Sequence, residues 1–263
     1  MIDKKYNYLI GKASDLPQDF NIDSRIDPDT CGCKKLYDDI IEAYFSNAQL
    51  NIKNGIIKVE NKEQKMANNL AFYTIFVNTD KYLLSSDCIG PSVYWARERA
   101  VNDDKIRYFL NVSRTIGGHM VWPRGRELKK KINTSRGGKS GVYDRMDWTL
   151  FLISIFYETD NKEQYLQKAN ELIPKEYRYK NNFNSKFEGM YEAFICARSW
   201  FESFGTFEMF CKQFKLSGKG NFVDENYKVN IMTALFPILP NDYEEYIENV
   251  CSAINVRNSL INP

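Results

Sequence analysis

The hydrophobic pattern of this chain changes period once, and that change limits its possible folds more than any other feature. Between residues 51 and 85 the apolar residues come in short strand-like runs. Residues 51–60 carry Ile52, Ile56, Ile57 and Val59 around Asn54-Gly55, the turn chemistry of a hairpin. Residues 70–77 are dense in aromatic and β-branched side chains, and 81–85 continue in kind. Just ahead of these runs, Leu36, Ile40, Ile41 and Tyr44 have helical spacing. From about residue 100 onward the spacing is helical throughout. Asn102-Asp103-Asp104 caps a helix with Ile106, Phe109, Leu110 and Ser113 on its core face. Gly117-Gly118 ends that helix. Asp144 or Asp147 opens an apolar helix over 148–157, buried on every side. A capping box at 160–163 starts a helix reaching about residue 173. Phe187, Met190, Tyr191, Phe194, Ile195 and Phe201 mark one long helix, and Tyr243, Tyr246, Ile247, Val250 and Ile254 mark the last. The pattern predicts a mostly α-helical α+β fold, a small antiparallel sheet near the N-terminus followed by a helical core. It is a single domain over 1–263: a turn-rich extended arm (1–34), a helix plus small sheet (35–92) and the helical core (93–263).

The hydrophobic fraction of 43% supports one packed core, and the aromatic share of 14% predicts that Phe and Tyr fill much of it. The apolar run at 148–157 is only about half the length needed to span a bilayer. Met1-Ile-Asp-Lys-Lys-Tyr6 has no apolar signal-peptide core. These features predict a cytoplasmic protein with no membrane partner. The six cysteines do not form a disulfide framework in a chain this long. Cys31-Gly-Cys33 is too closely spaced for a zinc knuckle, and no second pair completes a site. No metal and no cofactor are expected.

The chain has one histidine, His119, within Arg114-Thr-Ile-Gly-Gly-His119-Met-Val-Trp-Pro-Arg124-Gly. An imidazole is the side chain whose ordinary pKa lies nearest neutrality, so His119 is the first candidate for proton transfer. Directly after it the charge becomes one-sided. Residues 124–139 carry +6 in a chain of net charge +2. Gly125, Gly137 and Gly138 interleave with these cations, a composition suited to phosphate groups. A nucleotide-triphosphate loop is excluded, because Asn133 stands where Gly138-Lys139-Ser140 would need a glycine. Ser86 and Asp87 follow a predicted strand and precede the Gly90-Pro91 turn. The candidate ligand-binding set is therefore Ser86, Asp87, Arg124, Asn133, Arg136, Lys139 and Arg145, with RNA or a phosphorylated small molecule as partner.

The runs Leu84-Ser-Ser-Asp87-Cys-Ile-Gly-Pro-Ser92, Arg114-Thr-Ile-Gly-Gly-His119-Met-Val-Trp-Pro-Arg-Gly125 and Tyr143-Asp-Arg-Met-Asp-Trp-Thr-Leu150 resemble a family of uncharacterised bacterial proteins. That resemblance spans roughly residues 70–260 and implies no activity. The spacing Arg114-x4-His119 is also similar to the short Arg–His motif of HEPN ribonucleases. This second resemblance implies a helical, homodimeric, metal-independent RNA-cleaving protein of toxin or phage-defence type. Arg114 would then stabilise the phosphate and His119 would transfer the proton. The alternatives are a non-catalytic binding protein for a nucleotide or other phosphorylated ligand, and an interaction module of a defence system.

Overall fold

The computed structural model describes residues 34–45, 49–52, 55–65, 71–77, 80–89, 102–113, 115–124, 130–137, 142, 144–173, 183–232 and 240–261. Arg114, Lys139, the arm at 1–33 and the residues that follow Ile89 up to 101 lie outside the described residues, as does the Gly125–Lys129 part of the basic run.

Among the described residues the chain builds a mostly helical α+β fold around a five-stranded antiparallel sheet in simple meander order. Helix α1 (Lys34–Phe45) precedes strands β1 (Gln49–Ile52) and β2 (Gly55–Lys65), with Ile52 facing Gly55 across the hairpin that Asn54-Gly55 predicts. Strands β3 (Ala71–Val77) and β4 (Asp80–Cys88) extend the meander. Helix α2 (Asp103–Ser113) follows, and Asn102 Oδ1 accepts from the Asp104 amide as its spacing predicts.

The fifth strand departs from the expected pattern. A 3-10 turn at Ile116–Gly118 leads into β5 (His119–Arg124), which pairs with β4 from inside the region that reads as helical. Residues 119–123 of β5 are all buried, so the strand lacks the polar–apolar alternation that betrays a half-exposed strand. Gly117 and Gly118 act through close approach. A Cβ on Gly118 would run into the Ser113 backbone, and one on Gly117 would lie 2.9 Å from the Asn258 amide nitrogen.

The remaining helices are α3 (Ile132–Arg136), α4 (Met146–Glu158), α5 (Lys162–Glu171), α6 (Phe183–Cys196), α7 (Arg198–Phe204), α8 (Phe207–Gln213) and α9 (Pro240–Ile261). The apolar helix α4 is mostly buried, but Phe151, Phe156 and Tyr157 are only partly so, and the helix is not enclosed on every side as its sequence predicts. The capping box sits one residue later than its expected start: Asn161 is the N-cap of α5, accepting from the Gln164 amide at 3.0 Å, while Gln164 Oε1 reaches back to Asp160. The expected single helix across 187–201 is two, broken at Ala197 between α6 and α7. Aromatic side chains dominate the core, where Phe156, Phe194, Phe201 and Phe210 meet in tilted and edge-on pairs. Among the described residues no helix is long and apolar enough to cross a membrane.

Candidate functional site

Helix α3 is five residues long and carries two opposite faces. Its inward face anchors it to the sheet. The Arg136 guanidinium is fully buried and every nitrogen has a partner: Nε donates to Thr149 Oγ1 at 2.9 Å, Nη2 to the Asp144 carbonyl at 3.0 Å, and Nη1 to the Asp87 carboxylate. The same guanidinium lies over the Trp122 ring, 5.6 Å from its centroid. Asn133, three residues back on the same face, points Nδ2 at Ser85 Oγ at 3.5 Å. Asp144 adopts a left-handed backbone with φ of 57°, which an aspartate tolerates, and this turn aims its carbonyl at Arg136.

The outward face of α3 lines a cavity of about 500 Å³ shared with the first two turns of α6. Its walls are Lys130, Lys131, Thr134 and Ser135 on one side and Ser185, Lys186 and Gly189 on the other. Lys130 pairs with Glu192 and, by hydrogen bonding to it, holds that carboxyl below its ordinary range. Lys186 is 7% exposed although it lies in the first turn of α6, where the helix dipole disfavours a cation. Its Nζ stands 5.6 Å from the Phe183 ring centroid, and burial pushes its pKa down to about 8. The described residues that line it include three lysines and three hydroxyl-bearing residues, and none of these carries a carboxylate. Such a concave, cationic, hydroxyl-bearing surface can bind a phosphate or another compact anion.

The residues that sequence reasoning selected occupy a layer behind this cavity. Arg136, Asp87 and Asn133 are brought together and fasten α3 to β4. Arg145 is apart from them. It is buried, with Nε 3.0 Å and Nη2 2.5 Å from the two carboxylate oxygens of Asp147, and it lies over the Tyr246 ring. Burial opposes its charge, but the Asp147 carboxylate beside it outweighs that, and its pKa is raised. Ser86 is fully buried in β4, and its Oγ has no hydrogen-bond partner among the described residues. Arg124 ends β5 half-buried, opposite Leu83.

His119 is fully buried at the start of β5, where Nδ1 lies 2.8 Å from the Thr115 carbonyl. That carbonyl can only accept, so Nδ1 carries the proton and Nε2 the lone pair. His119 pairs with Cys88 and Met120 with Asp87, so strand alternation directs His119 and Asp87 to opposite faces of the sheet. The backbone around His119 is held from α9. Arg257, fully buried, donates Nη1 to the carbonyls of Gly117 at 2.7 Å and His119 at 2.8 Å, and Nε to that of Phe214 at 2.7 Å.

Lys186 was not among the predicted residues. The signal available in the sequence was a lysine between Phe183 and Phe187, a charge on the apolar side of a helix start. Comparison with curated proteins and with solved structures finds no match. Residues 14–195 match the model of a family of unknown function, DUF6994, and every residue lining the cavity falls inside that span. The chain therefore belongs to the DUF6994 family, which agrees with its resemblance to an uncharacterised family, although the match covers 14–195 rather than 70–260.

Proposed function

We propose that this protein binds a small phosphorylated ligand in the cavity between α3 and α6. The observation that carries this reading is the lining: Lys130, Lys131 and Lys186 converge with the hydroxyls of Thr134, Ser135 and Ser185 on a space of about 500 Å³. Glu192 offsets part of the Lys130 charge, which leaves Lys131 and Lys186 as the principal cations for an anion. The volume accommodates a ligand of nucleotide size. Calorimetry with inorganic phosphate and a nucleoside monophosphate tests it. Binding should weaken with rising salt. Lys131→Gln should lower affinity about tenfold or more, the worth of one charge-assisted hydrogen bond. Absence of binding, or equal affinity in the variant, overturns the reading.

A second reading, metal-independent RNA cleavage of toxin or defence type through His119 and Arg114, draws on one observation. The Thr115 carbonyl fixes the imidazole tautomer, so Nε2 has the lone pair a general base requires. A polymer can reach that buried ring only if β5 opens, which is why ligand binding ranks first. Incubating the protein with mixed RNA in EDTA separates the two. Cleavage that disappears in a folded His119→Ala variant would put the ribonuclease first.

A further inference from the structure

We propose that Lys186 forms a Schiff base with the carbonyl group of a phosphorylated aldehyde or ketone held in the α3–α6 cavity. This rests on the anion-binding reading and adds a covalent step to it. A lysine amine attacks carbonyls only when it is unprotonated, and enclosure is the usual way to make it so. Lys186 is enclosed: the residue is 7% exposed, and its Nζ lies 5.6 Å from the Phe183 ring centroid. The first turn of α6 disfavours a cation there as well. Burial accordingly lowers its pKa to about 8, so roughly a tenth of the amine is neutral at pH 7. The other cations of the cavity are different. Lys130 stays ion-paired with Glu192, and Lys131 is half-exposed at the N-cap of α3. The lysines divide the labour: Lys131 holds the phosphate, and the enclosed Lys186 reaches a carbonyl on the same molecule.

The step balances. The Nζ lone pair bonds to the carbonyl carbon as the C=O π pair moves to oxygen. Proton transfer from nitrogen to oxygen gives a carbinolamine. Loss of that oxygen as water leaves the C=N bond, so amine and carbonyl become imine and water. The hydroxyls of Thr134, Ser135 and Ser185 line the same cavity and can relay the proton.

The experiment uses the full chain with pyridoxal 5′-phosphate, an aldehyde and a phosphate in one probe, followed by borohydride reduction and peptide mass spectrometry. Lys186 should carry the reduced adduct at about tenfold or more the occupancy of any other lysine at limiting probe. Inorganic phosphate should suppress that adduct, and Lys131→Gln should lower it about tenfold. Lys186→Met, checked by circular dichroism, should lose the adduct while still binding phosphate more weakly. Phosphate binding with labelling scattered over exposed lysines would overturn the Schiff-base proposal and leave the binding reading standing. No phosphate binding and no enrichment at Lys186 would overturn both.

Discussion

The buried arginines and the cavity lysines are both cations in a chain of near-zero net charge, yet they are held in opposite ways. Arg136, Arg145 and Arg257 are each buried almost completely, each lies against an aromatic ring, and each spends its donors on the protein itself. Arg136 and Arg145 meet carboxylates, whereas Arg257 meets carbonyls and the Met120 sulfur. Burial lowers the pKa of Arg257, but an ordinary value so far above neutrality keeps it charged. The planar five-donor fork suits this cross-linking work. Lys130, Lys131 and Lys186 instead border a cavity, Lys130 while paired with Glu192. The difference teaches that cation density in a sequence does not separate the cations that cross-link the fold from those that border a cavity.

The comparison breaks first at Asp147. Its carboxylate accepts from Arg145 and from the amides of Trp148 and Met232, tying the start of α4 to the segment before α9. Asp147→Ala should cost about 3–5 kcal/mol, because it strands a buried guanidinium. Urea denaturation would measure this, and a loss below about 1 kcal/mol would show that Arg145 is not structural. Arg257→Met should cost about 2–3 kcal/mol by leaving buried carbonyls of Gly117, His119 and Phe214 without their donor. An unchanged thermal midpoint would count against the arginine as a clamp.

The smallest effect sharpens the contrast from the lysine side. The folded Lys186 has a pKa of about 8 against an ordinary 10.5. Between those values the unfolded chain binds a proton that the folded chain does not, so this group makes stability rise with pH across that window. Below about pH 8 both states are protonated, and the cost of enclosing the charge is present in full. Lys186→Met should flatten the rise relative to the parent chain in a denaturation series from about pH 8 to about pH 10.5. Parallel slopes would show that the side chain remains fully hydrated.

Most of the helices were legible because one face of each is wet, which gives the 3.6-residue period something to contrast. Ile40, Ile41 and Tyr44 on α1 and the run along α9 are of this kind. Strand β5 was not legible. Met120, Val121 and Trp122 are all fully buried, and Pro123 reads as a breaker, although it fits an edge strand. The site was half legible. The basic run includes the short helix beside the cavity, but Asn133 and Arg136 face inward while Lys131, Thr134 and Ser135 line the cavity. On a five-residue helix with no predicted boundaries, sequence cannot say which face is which. Lys186 lies fifty residues further on, and only the packing of α3 against α6 brings it there. The departure at Ala197 had no warning, since no glycine or proline marks it.

The clamp from α9 also constrains how the chain can reach its fold. Local pairings such as β1 with β2 close over a few residues and can form early. The turn at Thr115–His119 cannot be completed in the same way. Its groups are satisfied by Arg257 and by Asn258, which accepts from the Gly117 amide at 2.7 Å and donates to Thr115 Oγ1 at 2.8 Å. These contacts span about 140 residues of sequence, and closing a loop of that length slows folding more than it weakens the result. During synthesis the histidine strand has β4 and the Tyr44 hydroxyl to hold it, but it lacks the Arg257 and Asn258 contacts until α9 has left the ribosome.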